Sequence, residues 1–212
     1  MSRESAEKKR GASRRPSVAG APRPVAERPR NVRVFFAVWP DRGAQERLST
    51  LARDVAARTQ GRAPRPDNLH VTLAFIGEIP PERIEALCAI GAAVTTKTPP
   101  FVLTLDCLGT FPGTGIAWAG ASTLPLELAQ LAHELVGALL AQDFAVERRA
   151  FTPHVTLARR CRTRELATVG APIAWTVERL VLNASQSAEG GPHYREVASW
   201  PLALPAVAES LA

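Results

Sequence analysis

Cysteine is scarce in this sequence and does not pair. Cys88, Cys107 and Cys161 are odd in number, and none stands in a CxxC spacing. That argues against a disulfide scaffold and against a thiolate zinc site, and it points to a reducing compartment, the cytoplasm. No apolar run approaches 18 residues, so no membrane span is expected. The first 31 residues contain no Leu, Ile, Phe, Tyr or Trp, and so lack the hydrophobic stretch of a secretory leader. Such a segment cannot bury enough apolar surface to offset its ordering entropy, and a disordered basic tail is expected over 1–31.

Negative charge is the other shortage in that tail. It holds nine Lys and Arg against three Glu, which is the whole +6 excess of the chain; residues 32–212 hold equal numbers of each sign. The high pI of about 10 therefore describes the tail and is no argument that the folded part binds nucleic acid. The tail reads as a solubilising extension or as an arm that attracts polyanions.

From Val32 onward the apolar periodicity alternates between strand and helix. VRVFFAVW (32–39) reads as a central strand, and Leu48, Leu51, Ala52 and Val55 mark a helix over 42–59. NLHVTLAFIG (68–77) is the next strand, and Pro80-Pro81-Glu82 opens a second helix. PFVLTLDCLGTF (100–111) and GIAWAG (115–120) read as strands, and leucines from 124 to 139 mark the longest helix. FTPHVTLAR, a short helix at 163–169, a strand over 172–185 and HYREVASWPL complete the order. No linker interrupts 32–205, so residues 32–212 are expected to form one bilobal domain of two similar halves. Strand runs without long crossovers predict an α+β fold with mostly antiparallel sheets.

One tetrapeptide stands out. HVTL occurs at 70–73 and again at 154–157, using two of only four histidines. Side chains alternate faces along a strand, so His70 and Thr72 share one face while Val71 and Leu73 face the core; His154 and Thr156 repeat the arrangement against Val155 and Leu157. If the halves are pseudo-symmetric, two imidazoles and two hydroxyls meet across one cleft. Histidine titrates near neutrality, so one ring can serve as base while the other serves as acid. Threonine hydroxyls can donate to phosphoryl oxygens, and in-line displacement at phosphorus needs groups on opposite sides. There is no HExxH, and carboxylates near these histidines are sparse, so neither a metal nor a cofactor is expected. His133, among helical leucines, and His193, in a GGPHY turn, lack this setting and read as structural or exposed.

The pairing of NLHVTLAFIGE with FTPHVTLAR resembles the two-histidine (2H) phosphoesterase superfamily, and within it the RNA 2′,3′-cyclic phosphodiesterases, historically called 2′-5′ RNA ligases. The resemblance runs over about residues 32–202 and includes VRVFFAVWP, LDCLGTFP, IAWAG and a closing S-x5-GP-x-Y-x6-WPL. It implies the bilobal, pseudo-symmetric LigT-like fold, with two mostly antiparallel sheets, helices packed outside and a central cleft. It implies His70 as general acid on the leaving 3′ oxygen, His154 as general base on the attacking water, and Thr72 and Thr156 as holders of the phosphate oxygens. Arg149, Arg159 and Tyr194 are expected to contact substrate. The implied partner is an RNA with a 2′,3′-cyclic phosphate end, or a cyclic nucleotide, acted on by a monomer without metal. Reverse 2′-5′ ligation, small cyclic nucleotides or 2′-5′ oligonucleotides as substrates, and non-catalytic RNA-end binding are the alternatives.

Several features stay open at the level of sequence. Asn183 and Ala184 stand where many of that group carry Tyr-Glu, and GTGIAWAG lacks an arginine often found before the tryptophan. Arg159 lies an odd number of residues from His154, so it reaches the cleft only if the strand bulges, twists or ends before it. Arg149, Arg159, Arg160, Arg162 and Arg164 could form a phosphate-facing rim, although a solvated loop and strand end suits Arg160, Arg162 and Arg164 better. Phe36, Phe75, Phe151 and Trp118 could include a base-stacking platform, although core packing suits any one of them better.

Overall fold

The computed structural model describes residues 31–146, 151–166, 169–186 and 191–203. Residues 1–30 of the expected tail and Arg149 lie outside the described residues, as do 167 and 168 of the expected short helix; residues 163–166 of that segment form no helix.

VRVFFAV is apolar on both faces because it lies in the middle of the sheet. This strand, β1 (Val32–Val38), pairs on one side with β2 (Val71–Ile79) and on the other with β8 (Arg179–Gln186). Phe36 and Val38 are fully buried and Phe35 nearly so. Outside β8 runs β9 (His193–Pro201), in an antiparallel pairing that sets Ser185 opposite Tyr194. The second half contributes β4 (Cys107–Phe111), β5 (Ile116–Gly120) and β6 (His154–Ala158), again antiparallel. The sheet order is β4-β5-β6-β2-β1-β8-β9, and β3 (Phe101–Leu105) with β7 (Ile173–Val177) forms a separate two-stranded sheet.

Two segments that read as single strands are cut. PFVLTLDCLGTF divides at Asp106, whose carboxylate accepts from the backbone N–H and hydroxyl of Ser122. The 172–185 segment divides at Glu178. In each case one half pairs into the small sheet and the other into the large one, a partition that apolar alternation does not record.

Among the described residues three α-helices flank the sheets: α1 (Arg42–Arg58), α2 (Ile84–Thr95) and α3 (Leu126–Ala141). Asp41 caps α1 by accepting from the Ala44 N–H at 2.7 Å, an arrangement of about 1 kcal/mol in typical proteins. The helices exchange partners. α1, which leads in sequence to β2, packs against β6 and β7; α3, which leads to β6, packs against α2 and β2. Each half therefore supplies part of the other half's core, which is continuous from Leu48 through Leu131 to Leu180.

Helix α2 lies close to β9 at Gly91. A Cβ there would stand 2.4–2.7 Å from ring atoms of Trp200. Gly91→Ala should therefore overpack this contact and destabilise the protein by about 1–3 kcal/mol. Urea denaturation would show it as a lower midpoint at an unchanged m-value; an unchanged midpoint would refute the close Gly91–Trp200 packing.

Candidate active site

The two halves of the large sheet meet at one backbone pair, Val71 with Val155. Carrying that antiparallel register one residue each way sets His70 opposite Thr156 and Thr72 opposite His154. Opposed residues of such a pair lie about 5 Å apart at Cα. The two valines and Leu73 and Leu157 point into the core, with at most 5% exposure. The four polar side chains turn the other way, and all of them line a single cleft of about 840 Å³. The face assignments read from alternation hold, and the fold brings the two HVTL copies together.

Both imidazoles are held in the same way. His70 Nδ1 lies 2.8 Å from the Asn68 carbonyl and His154 Nδ1 lies 2.7 Å from the Thr152 carbonyl. A carbonyl only accepts, so each Nδ1 carries the proton and each neutral ring keeps a lone pair on Nε2. At His70 that nitrogen accepts from the Thr72 hydroxyl at 3.1 Å.

Aromatic rings enclose the histidines unequally. His70 contacts Phe35, Trp39 and Tyr194 at centroid distances of 4.8–5.1 Å, with Tyr194 edge-on at 90°. His154 has Phe111 at 4.8 Å and Trp118 at 6.3 Å. Burial disfavours the charged imidazolium and lowers the His70 pKa from 6.5 to about 4, against the opposing pull of the Asn68 carbonyl; the charges of Arg159 and His154 lower it further. Burial also lowers the His154 pKa, again against a carbonyl and with help from Arg159.

Both HVTL strands bulge just past the threonine. Between β1 and β2 the register skips Leu73, and between β5 and β6 it skips Leu157. A bulge inserts one residue and inverts the alternation that follows. Phe75, five residues after His70, thereby reaches the cleft at 37% exposure. Arg159, five residues after His154 and just past the end of β6, lines it as well. Arg33 stacks over Phe75, its guanidinium carbon 4.8 Å from the ring centroid.

Tyr194, expected to contact substrate, lines the cleft together with Ser185. Arg160, read from sequence as a solvated strand end, lines it too; Arg162 and Arg164 are exposed and do not. Arg33, Arg62 and Arg65 add to the cationic lining, and among the described residues no carboxylate lines the cleft. These three carry no local signal in the sequence, because only the pairing of distant segments brings them to the cleft. His133 and His193 are exposed. Phe36 is core, Trp118 lies against Gly109 and Gly120, and Phe151 packs on the core, which leaves Phe75 as the open ring of the four. Asn183 is buried and donates to the Val181 carbonyl, and Ala184 is buried in the core. Among the described residues no three His, Cys, Asp or Glu side chains cluster so as to hold a metal ion, and no helix is long and apolar enough to cross a membrane.

Comparison with known proteins agrees with this geometry. A model of the LigT-like phosphoesterases matches residues 38–118, which include the first His-x-Thr. An RNA 2′,3′-cyclic phosphodiesterase of Escherichia coli K12 is 31% identical over 80% of this chain and 96% of its own length. One from Geobacillus stearothermophilus is 31% identical over 79% of this chain, and the match spans only 56% of that relative. The crystal structure of E. coli LigT complexed with 3′-AMP superposes with a TM-score of 0.75 at 30% identity, over 81% of this chain and 98% of that one. A match at this identity over nearly the whole of the E. coli relative, with the same fold, makes the chain a member of the LigT-like phosphoesterase family.

Proposed function

We propose that this protein hydrolyses RNA 2′,3′-cyclic phosphate ends to 2′-phosphate ends, using two histidines as acid and base. The observation that carries this reading is the placement of both His-x-Thr pairs in one cleft, across a single rung of sheet. The relatives named for that activity and the nucleotide complex of E. coli LigT support the choice of substrate.

In this reading water attacks phosphorus as His154 Nε2 takes its proton. The bond from phosphorus to the 3′ oxygen breaks, and His70 Nε2 delivers a proton to that oxygen. The sum is one water added, a 2′-phosphate and a free 3′-hydroxyl. Thr72 and Thr156 donate to the non-bridging oxygens, and Arg159 balances the charge they develop. Phe75 offers its open face to the terminal base, and Tyr194 keeps a protonated phenol in the cleft, since burial raises its pKa. Among the described residues the cleft lining offers imidazoles and hydroxyls but no carboxylate, a donor set suited to proton transfer without a metal ion. The three free cysteines fit work in the reducing cytoplasm, and we take the acting form to be a monomer. With an RNA 5′-hydroxyl in place of water the same site would form a 2′-5′ linkage, but the concentration of water favours hydrolysis.

His70→Ala and His154→Ala should each lower kcat by about 10²–10⁴, the usual scale of general acid–base catalysis. The assay uses an oligonucleotide ending in a 2′,3′-cyclic phosphate, with EDTA present, and identifies the terminal phosphate isomer. Unchanged ends with binding retained would favour the RNA-end-binding alternative.

The acidity of the rings gives a second test. Both imidazoles are neutral at pH 7 in the free protein, and the one acting as acid must be protonated. kcat/KM should therefore trace a bell whose maximum lies below pH 6.5, between the lowered pKa values. The bound phosphate anion stabilises an imidazolium beside it, so the maximum in kcat should move to higher pH. A profile flat from pH 5 to 8 would contradict this division of labour.

A further inference from the structure

The cleft holds more positive charge than one terminal phosphate requires. Arg33, Arg62, Arg65, Arg159 and Arg160 line it with no carboxylate among the described lining residues, whereas a cyclic phosphate carries a single negative charge. The arginines fall into an order. Arg159 is the one whose charge reaches both imidazoles. Arg33 is occupied by its stack on Phe75. Arg65 is shared with Asp67 at 3.7 Å and His193 at 3.3 Å. Arg62 and Arg160 remain, both exposed, with no hydrogen bond or ion pair from their guanidinium groups to any described residue.

Their backbones are firmly held all the same. Arg62 and Arg159 exchange two backbone hydrogen bonds, of 2.8 and 2.9 Å, in an isolated antiparallel bridge. Arg160 adopts a left-handed backbone with φ of 57°, a conformation that costs a side-chain-bearing residue on the order of 1–2 kcal/mol. The next two amides pin it there: Cys161 N–H donates to the Gly115 carbonyl at 2.9 Å and Arg162 N–H to the Thr59 carbonyl at 2.8 Å. Gly115, itself at φ of 64°, would bring a Cβ to 3.5 Å from the Arg160 Cα. Arg62 thus stands one strand spacing, about 5 Å, across from the arginine assigned to the scissile phosphate, and Arg160 follows it in the chain. That step is comparable to the distance between successive phosphates of an RNA strand.

We infer that Arg62 and Arg160 form a second anion subsite, which takes the phosphodiester on the 5′ side of the terminal nucleotide. The inference rests on the hydrolase reading and names its substrate class: an RNA chain end rather than a free nucleoside cyclic phosphate. Guanidinium suits the subsite because it meets phosphate oxygens with paired donors.

The test compares kcat/KM for three substrates: adenosine 2′,3′-cyclic phosphate, the same compound bearing a 5′-phosphate, and an adenosine trinucleotide with a 2′,3′-cyclic end. The two substrates with the added phosphate should react about tenfold better, the scale of one charge-assisted hydrogen bond. Their kcat/KM should also fall more steeply with salt, by about 0.7 in log–log slope per phosphate contacted. In Arg62→Ala, and in Arg160→Gly, the advantage of the longer substrates over adenosine 2′,3′-cyclic phosphate should shrink toward one. Arg160→Gly removes the guanidinium while accepting the left-handed backbone, so a loss there does not stem from misfolding. Equal kcat/KM for the three substrates would overturn the subsite. So would an advantage that survives both variants, which would assign it to other contacts. No turnover of any substrate would instead refute the hydrolase reading on which the subsite depends.

Discussion

Everything the cleft can do depends on one rung of β-sheet. Val71 and Val155 are the single backbone pair by which β2 and β6 join the two halves of the large sheet, and their side chains are completely buried. One residue to either side, the two strands present imidazole opposite hydroxyl and hydroxyl opposite imidazole. A slip of one residue by either strand would turn its imidazole and hydroxyl into the core and its valine into the cleft. The apolar residues of HVTL therefore have as much to do with the chemistry as the polar ones.

The site is built from repeated parts, but its two halves are not equivalent. Each imidazole gives its Nδ1 proton to a carbonyl two residues upstream, and each strand bulges one residue past its threonine. The bulges then deliver different residues, an open phenyl ring in one half and a guanidinium in the other. His70 sits among three aromatic rings and His154 beside two. Desolvation is correspondingly the leading reason that each ring resists protonation. An incoming phosphate reverses part of that penalty, because it replaces lost water with a fixed negative charge beside the ring. Binding and proton placement are coupled for this reason.

Charge in the folded part is segregated rather than in excess. Residues 32–212 carry equal numbers of acids and bases, yet among the described residues the cleft gathers five arginines and no carboxylate. The segment that supplies Arg159 and Arg160 is tied to Arg62, Thr59 and Gly115 by backbone hydrogen bonds. Its side chains are free to meet an anion while its backbone is already placed, which reduces the ordering cost of binding.

By itself the sequence determined the three long helices and the rough extent of most strands, though not the absence of helix over 163–166, where one was expected. It placed the two histidine-threonine pairs on polar faces of buried strands, from which a resemblance to two-histidine phosphoesterases follows. These are local properties, set by apolar periodicity and turn residues. The tertiary structure decided what depends on contacts between distant residues. It cut two apparent strands at Asp106 and Glu178, exchanged α1 and α3 between the halves, and brought Arg33, Arg62 and Arg65 to a cleft that no motif connects them with. It also overturned parity after Thr72 and Thr156, since a bulge exists only where two strands of unequal length must pair. Alternation along one strand says which way a side chain points, but the partner strand decides how long that alternation lasts.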